Sequence, residues 1–282
     1  MIFFSDMDGT FLTSTKAVSD ASARALDAAA AAGVEFVPCT GRSAEGIPSE
    51  VLAHNTVRHA VSSNGAVVLE LDPDEPASIG RARTLASWPL SREKALAVWE
   101  IARRFDVTYD IFADGRCYLR RDLFSRLSEY VDDPHILESM TRSRTPVDEE
   151  PPETLARVGT LERIAMYWKD PAERDAITAA LADMEGIEVT RSYPMNIEVM
   201  EAGVSKGAAM TWLCRELGMD AADAVAFGDN FNDIEMLRAA GLGVAMANAE
   251  PEVREAADTV CASNDEDGVA AVMMERIAAL SA

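Results

Sequence analysis

Apolar residues in the first third of the chain come in short runs separated by helical stretches. Residues 2–4 are one such run and end at an acidic turn. Ser19 is placed to cap a helix that continues to about residue 32, where Gly33 stops it. Residues 34–39 form a second run, ending at Thr40-Gly41-Arg42, and residues 59–62 a third, ending at Asn64-Gly65. Strand, helix and strand at these spacings predict parallel βαβ units. The last third repeats the pattern. Residues 196–200 predict a strand, Ser205 caps a helix to about residue 217, and Gly218 ends it. Residues 224–227 predict a strand that runs into Gly228-Asp229. A helix to about residue 240, an apolar run at 243–246 and a helix with Pro251 in its first turn follow.

The middle has another pattern. A link rich in proline and acid at 72–78 leads to a helical stretch at 91–104. Residues 107–112 and 116–120 predict a hairpin about Ala113-Asp114-Gly115. Residues 123–131 predict a helix, and residues 143–153, polar with three prolines, predict a loop. Residues 163–168 predict a strand. Asp170-Pro171 opens a helix that Gly186 closes, with Glu173 at capping-box spacing, and residues 187–191 predict a last strand. The expected fold class is α/β: a doubly wound parallel-sheet core with an inserted α+β domain. The core is expected at 1–82 and 194–282 and the insert at 83–193. A length of 282 residues agrees with two domains, at roughly 150 residues each.

Charge narrows the function classes. Lys+Arg is 26 and Asp+Glu is 48, so the net charge is 26 − 48 = −22. That disfavours nucleic acid and anionic membrane surfaces as partners. The longest run without a polar side chain, residues 239–247, is far short of the roughly 20 residues a membrane span needs. The N-terminus meets acid at Asp6 and has no basic leader, so a cytoplasmic protein is expected. Cys39, Cys117, Cys214 and Cys261 form no CxxC pair and are expected as reduced thiols, buried as small hydrophobes. His54, His59 and His135 lack metal-site spacing and are expected in loops or on the surface.

In an open parallel sheet, ligands bind outside the carboxyl ends of the strands. The residues expected there are Asp6-Met7-Asp8-Gly9-Thr10, Thr40-Gly41-Arg42, Asn64-Gly65 and Gly228-Asp229-Asn230-Phe231-Asn232-Asp233, with Ser205-Lys206-Gly207 opening a helix. Asp6 and Asp8, with Asp229 arriving from afar, repel one another unless a cation sits between them. Oxygen donors without Cys or His favour a hard ion, Mg²⁺ first. Only four lysines occur: Lys16, Lys94, Lys169 and Lys206. Lys206, at a predicted helix start, can neutralise a phosphate oxygen or a carboxylate.

The ordered motifs DMDGT, TGR, NG, SKG and GDNFND resemble those of the haloacid dehalogenase superfamily. The position and pattern of the insert resemble the Cof-like phosphatases, which carry a type IIB cap on a Rossmann-like core. The resemblance implies that Asp6 is the nucleophile and forms an aspartyl-phosphate. It implies that Asp8 protonates the leaving oxygen and then activates water, which calls for a raised Asp8 pKa. Thr40 and the Gly41 amide would hold phosphoryl oxygens, and Lys206 would neutralise the transferring group and Asp6. Asp229 would complete an Mg²⁺ site with the Asp6 carboxylate and the Asp8 carbonyl. Asn232 would reach the phosphate or a metal-bound water, and Asp233 would brace Lys206 or the metal waters. Arg42 resembles a substrate-site residue, with a structural salt bridge the other reading. Phe11 and Cys39 depart from the family pattern and are expected as core variations.

The resemblance implies a Mg²⁺-dependent phosphatase of small phosphorylated metabolites, a sugar or polyol phosphate, acting as a monomer or homodimer. A phosphomutase, or a narrow phosphatase of the sucrose-phosphate or mannosyl-phosphoglycerate type, would use the same residues. A phosphate-responsive binding or signalling module is the non-enzyme alternative. On or beside the hairpin of the insert, Arg116, Tyr118, Arg120 and Arg121, and near its returning hinge, Arg191, Tyr193 and Asn196, are candidate contacts for a leaving group, each also readable as a surface residue.

Overall fold

A computed structural model describes residues 1–280. In chain order the elements begin β1 (Ile2–Ser5), α1 (Asp20–Ala31), β2 (Glu35–Pro38), α2 (Ser49–Leu52), β3 (His59–Ser62), β4 (Val67–Glu70) and β5 (Arg83–Ser87). They continue with α3 (Arg92–Ala102), β6 (Asp110–Ala113), β7 (Arg116–Arg120), α4 (Arg121–Phe124), α5 (Pro134–Ser143), β8 (Arg144–Val147) and α6 (Pro151–Arg157). Next are β9 (Leu161–Tyr167), α7 (Pro171–Ala182), β10 (Ile187–Thr190), β11 (Asn196–Glu201) and α8 (Lys206–Glu216). The chain closes with β12 (Ala224–Gly228), α9 (Ile234–Ala239), β13 (Leu242–Met246), α10 (Pro251–Ala256), β14 (Thr259–Cys261) and α11 (Gly268–Ala279). They form two compact units, Met1–Ser87 with Ser205–Ala282, and Trp88–Val204.

The first unit is built on a five-stranded sheet in the order β14-β13-β12-β1-β2, with every pairing parallel. All four residues of β1 are buried, as an apolar run covered on both faces should be. Strand β2 leads away from β1 on one side and β12, β13 and β14 lie on the other, so the strand order reverses between β1 and β12. Their carboxyl ends therefore mark the switch point where open α/β sheets place their sites. The Ser19 side chain caps α1 through Ser22 N–H, and that of Ser205 caps α8 through Ala208 N–H. Strands β3, β4 and β5 form an antiparallel sheet, and a single parallel bridge from Cys39 to Val61 joins it to β2.

The second unit has a six-stranded sheet, β10-β11-β9-β6-β7-β8, antiparallel except between β7 and β8. One face packs Ile111, Ile164 and Val199 against Val98 of α3 and Ile177 of α7. The other carries Phe112, Leu119 and Tyr167 under Leu127, Tyr130 and Met140. Two ion pairs are buried in this unit, Arg163–Glu198 at 2.6 Å and Arg144–Asp110 at 2.9 Å. The Arg163 guanidinium lies 3.6 Å from the Phe112 ring centroid, which lets its flat face avoid water while its edge bonds Glu198.

Several sequence expectations are corrected here. The boundaries fall at 87/88 and 204/205 rather than 82/83 and 193/194. Strand β5 completes the first unit's small sheet, and β11 pairs with β9 and β10 in the second. Residues 123–131 are no continuous helix; α4 ends at Phe124 and a separate 3₁₀ turn spans Leu127–Glu129. The loop expected at 143–153 is instead β8, then the start of α6. Pro146 is tolerated because β8 is an edge strand, and Pro151 because it opens the helix. His59 is buried in β3, where its Nδ1 lies 2.6 Å from Glu35 Oε1. Glu35 sits on β2, so the pair forms only when the strands assemble. Cys39, Cys117 and Cys214 are buried thiols, whereas Cys261 is half-buried. Among the described residues, no helix is long and apolar enough to cross a membrane.

Candidate active site

Asp6 follows β1 directly, Thr40 follows β2, Asn64 follows β3 and Asp229 follows β12. All four strand ends therefore point polar side chains at the same edge. Lys206 is the first residue of α8 and is fully buried. Its Nζ donates to Asp6 Oδ1 at 2.6 Å and to Asp233 Oδ1 at 2.7 Å. The other Asp233 oxygen accepts from the backbone N–H groups of Asp229 and Asn230, each at 3.0 Å. Asp233 thus braces both the lysine and the loop that carries Asp229. Thr10 Oγ1 donates to Asp229 Oδ1 at 2.7 Å.

Carboxylate oxygens of Asp6, Asp229 and Asp233 all lie within 4.8 Å of one another. Burial pushes Asp6 up to about 7, against the pull of Lys206 and with the help of Asp233 and Asp8. Burial, then Asp6 and Asp233, push Asp229 well above the carboxylate range. Burial would lower Lys206, but Asp233 and Asp6 outweigh it, so the ammonium stays charged. One lysine does not neutralise three carboxylates, two of them buried and the third half-buried. The hard-oxygen donor set and this excess of negative charge fit a divalent cation held by Asp6 and Asp229.

Asp8 faces elsewhere. Arg42 grips its carboxylate in a fork, Nε to Oδ2 at 2.6 Å and Nη2 to Oδ1 at 2.7 Å. Lys16 Nζ adds an ion pair to Oδ1 at 2.9 Å. Burial would raise Asp8, but Arg42 and Lys16 more than offset it and hold the group well below the usual carboxylate range. The raised pKa expected for Asp8 is therefore absent in this state. Arg42 also donates to Gly46 O at 2.8 Å, so it serves as a salt-bridge residue here.

Thr40 is buried and its hydroxyl oxygen accepts from Arg42 N–H at 3.2 Å, which leaves the hydroxyl proton to donate. A Cβ on Gly41 would come within 2.9 Å of Asn64 Oδ1, so the backbone passes close to that side chain. Asn232 Nδ2 donates to Asn64 Oδ1 at 3.0 Å, while its own buried Oδ1 has no hydrogen-bond partner. The sequence reading missed Lys16 and the Asn64–Asn232 contact. Lysine scarcity was the available signal for the first. Phe11 packs on Phe36 at 4.6 Å between ring centroids, and burial pushes the Cys39 thiol far up, so both departures from the family pattern lie in the core.

In the second unit, Arg120 is engaged by Asp122 and Glu150, and Arg121 by Asp148. Tyr118 lies under the Arg157 guanidinium. Asn196 is buried and accepts from Ser192 and Tyr193 N–H groups. These candidates have structural partners. The sequence reading did not single out Arg163–Glu198 or Arg144–Asp110, whose partners are 35 and 34 residues apart.

A sequence profile of the haloacid dehalogenase-like hydrolases matches residues 3–273. The chain belongs to this family. The Bacillus subtilis (strain 168) protein YxeH is 30% identical over 278 residues, 97% of each chain. The Escherichia coli (strain K12) protein named pyridoxal phosphate phosphatase YbhA is 27% identical over 275 residues, 94% of each chain. The solved structure of a haloacid dehalogenase subclass IIB sugar phosphatase superposes with a TM-score of 0.81 and 23% identity, covering 98% of each chain, a likeness of fold. As a haloacid dehalogenase-like hydrolase, the protein is an enzyme.

Gly9 shows how tightly this haloacid dehalogenase-like site is built. Its φ is 82°, and a Cβ there would lie 2.5 Å from Asp229 Oδ2. Gly9→Ala is expected to cost about 1–3 kcal/mol from the backbone strain, with displacement of Asp229 added. Urea unfolding measures the loss; an unchanged midpoint would contradict this packing.

Proposed function

We propose that the protein is a Mg²⁺-dependent phosphatase that hydrolyses a small phosphorylated metabolite, a sugar or polyol phosphate, through an aspartyl-phosphate on Asp6. The observation that carries this reading is the buried Asp6 carboxylate. One oxygen is fixed by Lys206, and the carboxylates of Asp229 and Asp233 crowd it. Phosphoryl transfer needs in-line geometry and charge neutralisation more than elaborate covalent chemistry. The site has a nucleophile, an ammonium and hard-oxygen donors in one place.

In the first step, Asp6 Oδ2 attacks phosphorus and the bond to the leaving oxygen breaks. Asp8 supplies the proton to that oxygen. In the second step, water attacks phosphorus, Asp8 takes its proton, and the bond from phosphorus to Asp6 breaks to release phosphate. The ion-paired Asp8 of this structure has the charge of the base. Its acid role requires that Arg42 turn from it to the incoming substrate. The Thr40 hydroxyl and the Gly41 N–H donate to phosphoryl oxygens, and Asn232 orients the group beside them. Asp6, Asp229 and the Asp8 carbonyl would hold Mg²⁺, which supplies positive charge for the transferring group. The names of the relatives, one for pyridoxal phosphate and one for a sugar substrate, support a small phosphorylated metabolite.

The test is phosphate release from a panel of phosphorylated sugars, polyols, nucleotides and p-nitrophenyl phosphate, with Mg²⁺ and with EDTA. Mg²⁺-dependent release is expected, strongest with sugar or polyol phosphates. Release that is undiminished in EDTA would overturn the metal requirement, and no release from folded protein with Mg²⁺ would overturn the phosphatase reading.

A further inference from the structure

Two of the only four lysines touch the two motif aspartates: Lys206 reaches Asp6, and Lys16 reaches Asp8. Arginine supplies the other 22 of the 26 basic residues (26 − 4 = 22), so a compact ammonium at both places is notable in this chain.

The backbone around Lys16 is built to deliver that ammonium. Lys16 has φ 63°, a left-handed conformation that an L side chain adopts at a cost. The turn is closed by Thr13 N–H donating to Ala17 O at 3.0 Å and Lys16 N–H donating to Thr13 O at 2.8 Å. Ser14 N–H donates to Asp265 Oδ1 at 2.8 Å, which ties the turn to the segment before α11. A strained residue held by its surroundings points to a role worth seeking. Here the side chain of that residue ends on the Asp8 carboxylate, whose side chain is 36% exposed, against 9% for Asp6. The more open carboxylate is the one that needs its direction fixed from outside the sheet.

We infer that Lys16 is a positioning residue for the reaction: its anchored ammonium holds the Asp8 carboxylate in place while Arg42, the other partner, turns to the substrate. The inference rests on the phosphatase reading and on the role given there to Asp8. Arg42 cannot fork both Asp8 oxygens and bind substrate at once. The Lys16 ion pair is to Oδ1 and can stay when Arg42 leaves. The other Asp8 oxygen then becomes the one that faces the leaving group.

The experiment compares wild type, Lys16→Met and Lys16→Arg on a sugar phosphate and on p-nitrophenyl phosphate. An alkoxide needs a proton to leave; p-nitrophenolate does not. Lys16→Met is expected to lower kcat on the sugar phosphate about 30-fold, part of what a positioned proton donor contributes. KM on that substrate, and the first-turnover rate of p-nitrophenolate release, should move less than about 3-fold, the span of an indirect effect; the later hydrolysis of the aspartyl-phosphate, where Asp8 is the base, is common to both substrates. Lys16→Arg should restore most of the loss. Equal losses in the first-turnover rates on both substrates, no loss, a gain, or failure of arginine to rescue would each overturn the proposal. An inactive wild type would overturn the phosphatase reading and this inference with it, a different outcome from an active wild type with insensitive variants. Thermal unfolding of both variants identifies a folding defect, which would lower both substrates together and count against the positioning role.

Discussion

Replacing Asp6 by asparagine is expected to abolish phosphate release and to make the metal-free protein harder to unfold at pH 8. The first effect follows from the nucleophile role proposed for Asp6: an amide cannot form the phosphorylated intermediate, and the loss should reach about 10⁴-fold or more. The second follows from the charge it removes. The Asp6 pKa is raised to about 7 from 3.8, burial being the main cause. A carboxyl whose folded pKa is raised contributes stability below its unfolded pKa and loses it as pH rises toward the folded value. Over about 3 units the ceiling is about 4 kcal/mol, and coupling to Asp229 and Lys206 leaves about half of that as a fair expectation. In EDTA, denaturant unfolding at pH 8 should show the variant more stable, with the gap closing toward pH 4. Added Mg²⁺ should raise the midpoint of wild type and not of the variant. Phosphate release by Asp6→Asn near the wild-type rate would remove Asp6 as nucleophile. A wild type more stable in EDTA at pH 8 would show that Asp6 is not under electrostatic strain.

Lys206→Met is expected to have the largest cost in stability. The side chain is fully buried between two carboxylates, and methionine keeps its length while deleting the charge. Removing one partner from a buried ionic cluster strands the others, at about 3–5 kcal/mol. Activity should vanish with it, because Asp6 loses its fixed oxygen and the transferring group loses a cation. Pairing Lys206→Met with Asp233→Asn should recover part of the stability and none of the activity, since the second change removes a stranded charge but restores no cation. A Lys206→Met protein as stable as wild type in urea would mean that the carboxylates find other compensation. Because the Lys206 pKa is raised, its own titration leaves the contribution fully present below the unfolded lysine value, and the part that depends on Asp6 should grow as pH rises through about 7.

Much of the site was legible because each apolar run of the core stops where its polar residues begin. Strand β1 ends at Ser5 and Asp6 follows; β12 ends at Gly228 and Asp229 follows. Sequence order alone then places the carboxylates on one edge of a parallel sheet. The rotamer of Asp8 was not legible. It depends on Arg42 and Lys16, which lie 34 and 8 residues away and meet only after β2 and the turn at 13–17 are in place. The second unit was harder for a related reason. Pro146 and Pro151 suggest a loop locally, and only the sheet shows that one lies on an edge and the other at a helix start. Arg163–Glu198 has no local signature and His59 is expected in a loop or on the surface, until strands distant in sequence bring Arg163 to Glu198 and His59 to Glu35.

Every residue given a chemical role, from Asp6 to Asp233, belongs to the first unit, and the second unit enters as one uninterrupted stretch, Trp88–Val204. A single gene-level exchange between those two junctions would thus replace the whole inserted unit and leave Asp6, Lys206 and the acidic cluster untouched. Selection can therefore revise the two parts at different rates. A lineage of such chains should diverge most steeply inside one contiguous segment and keep its ancestral chemistry on either side of it.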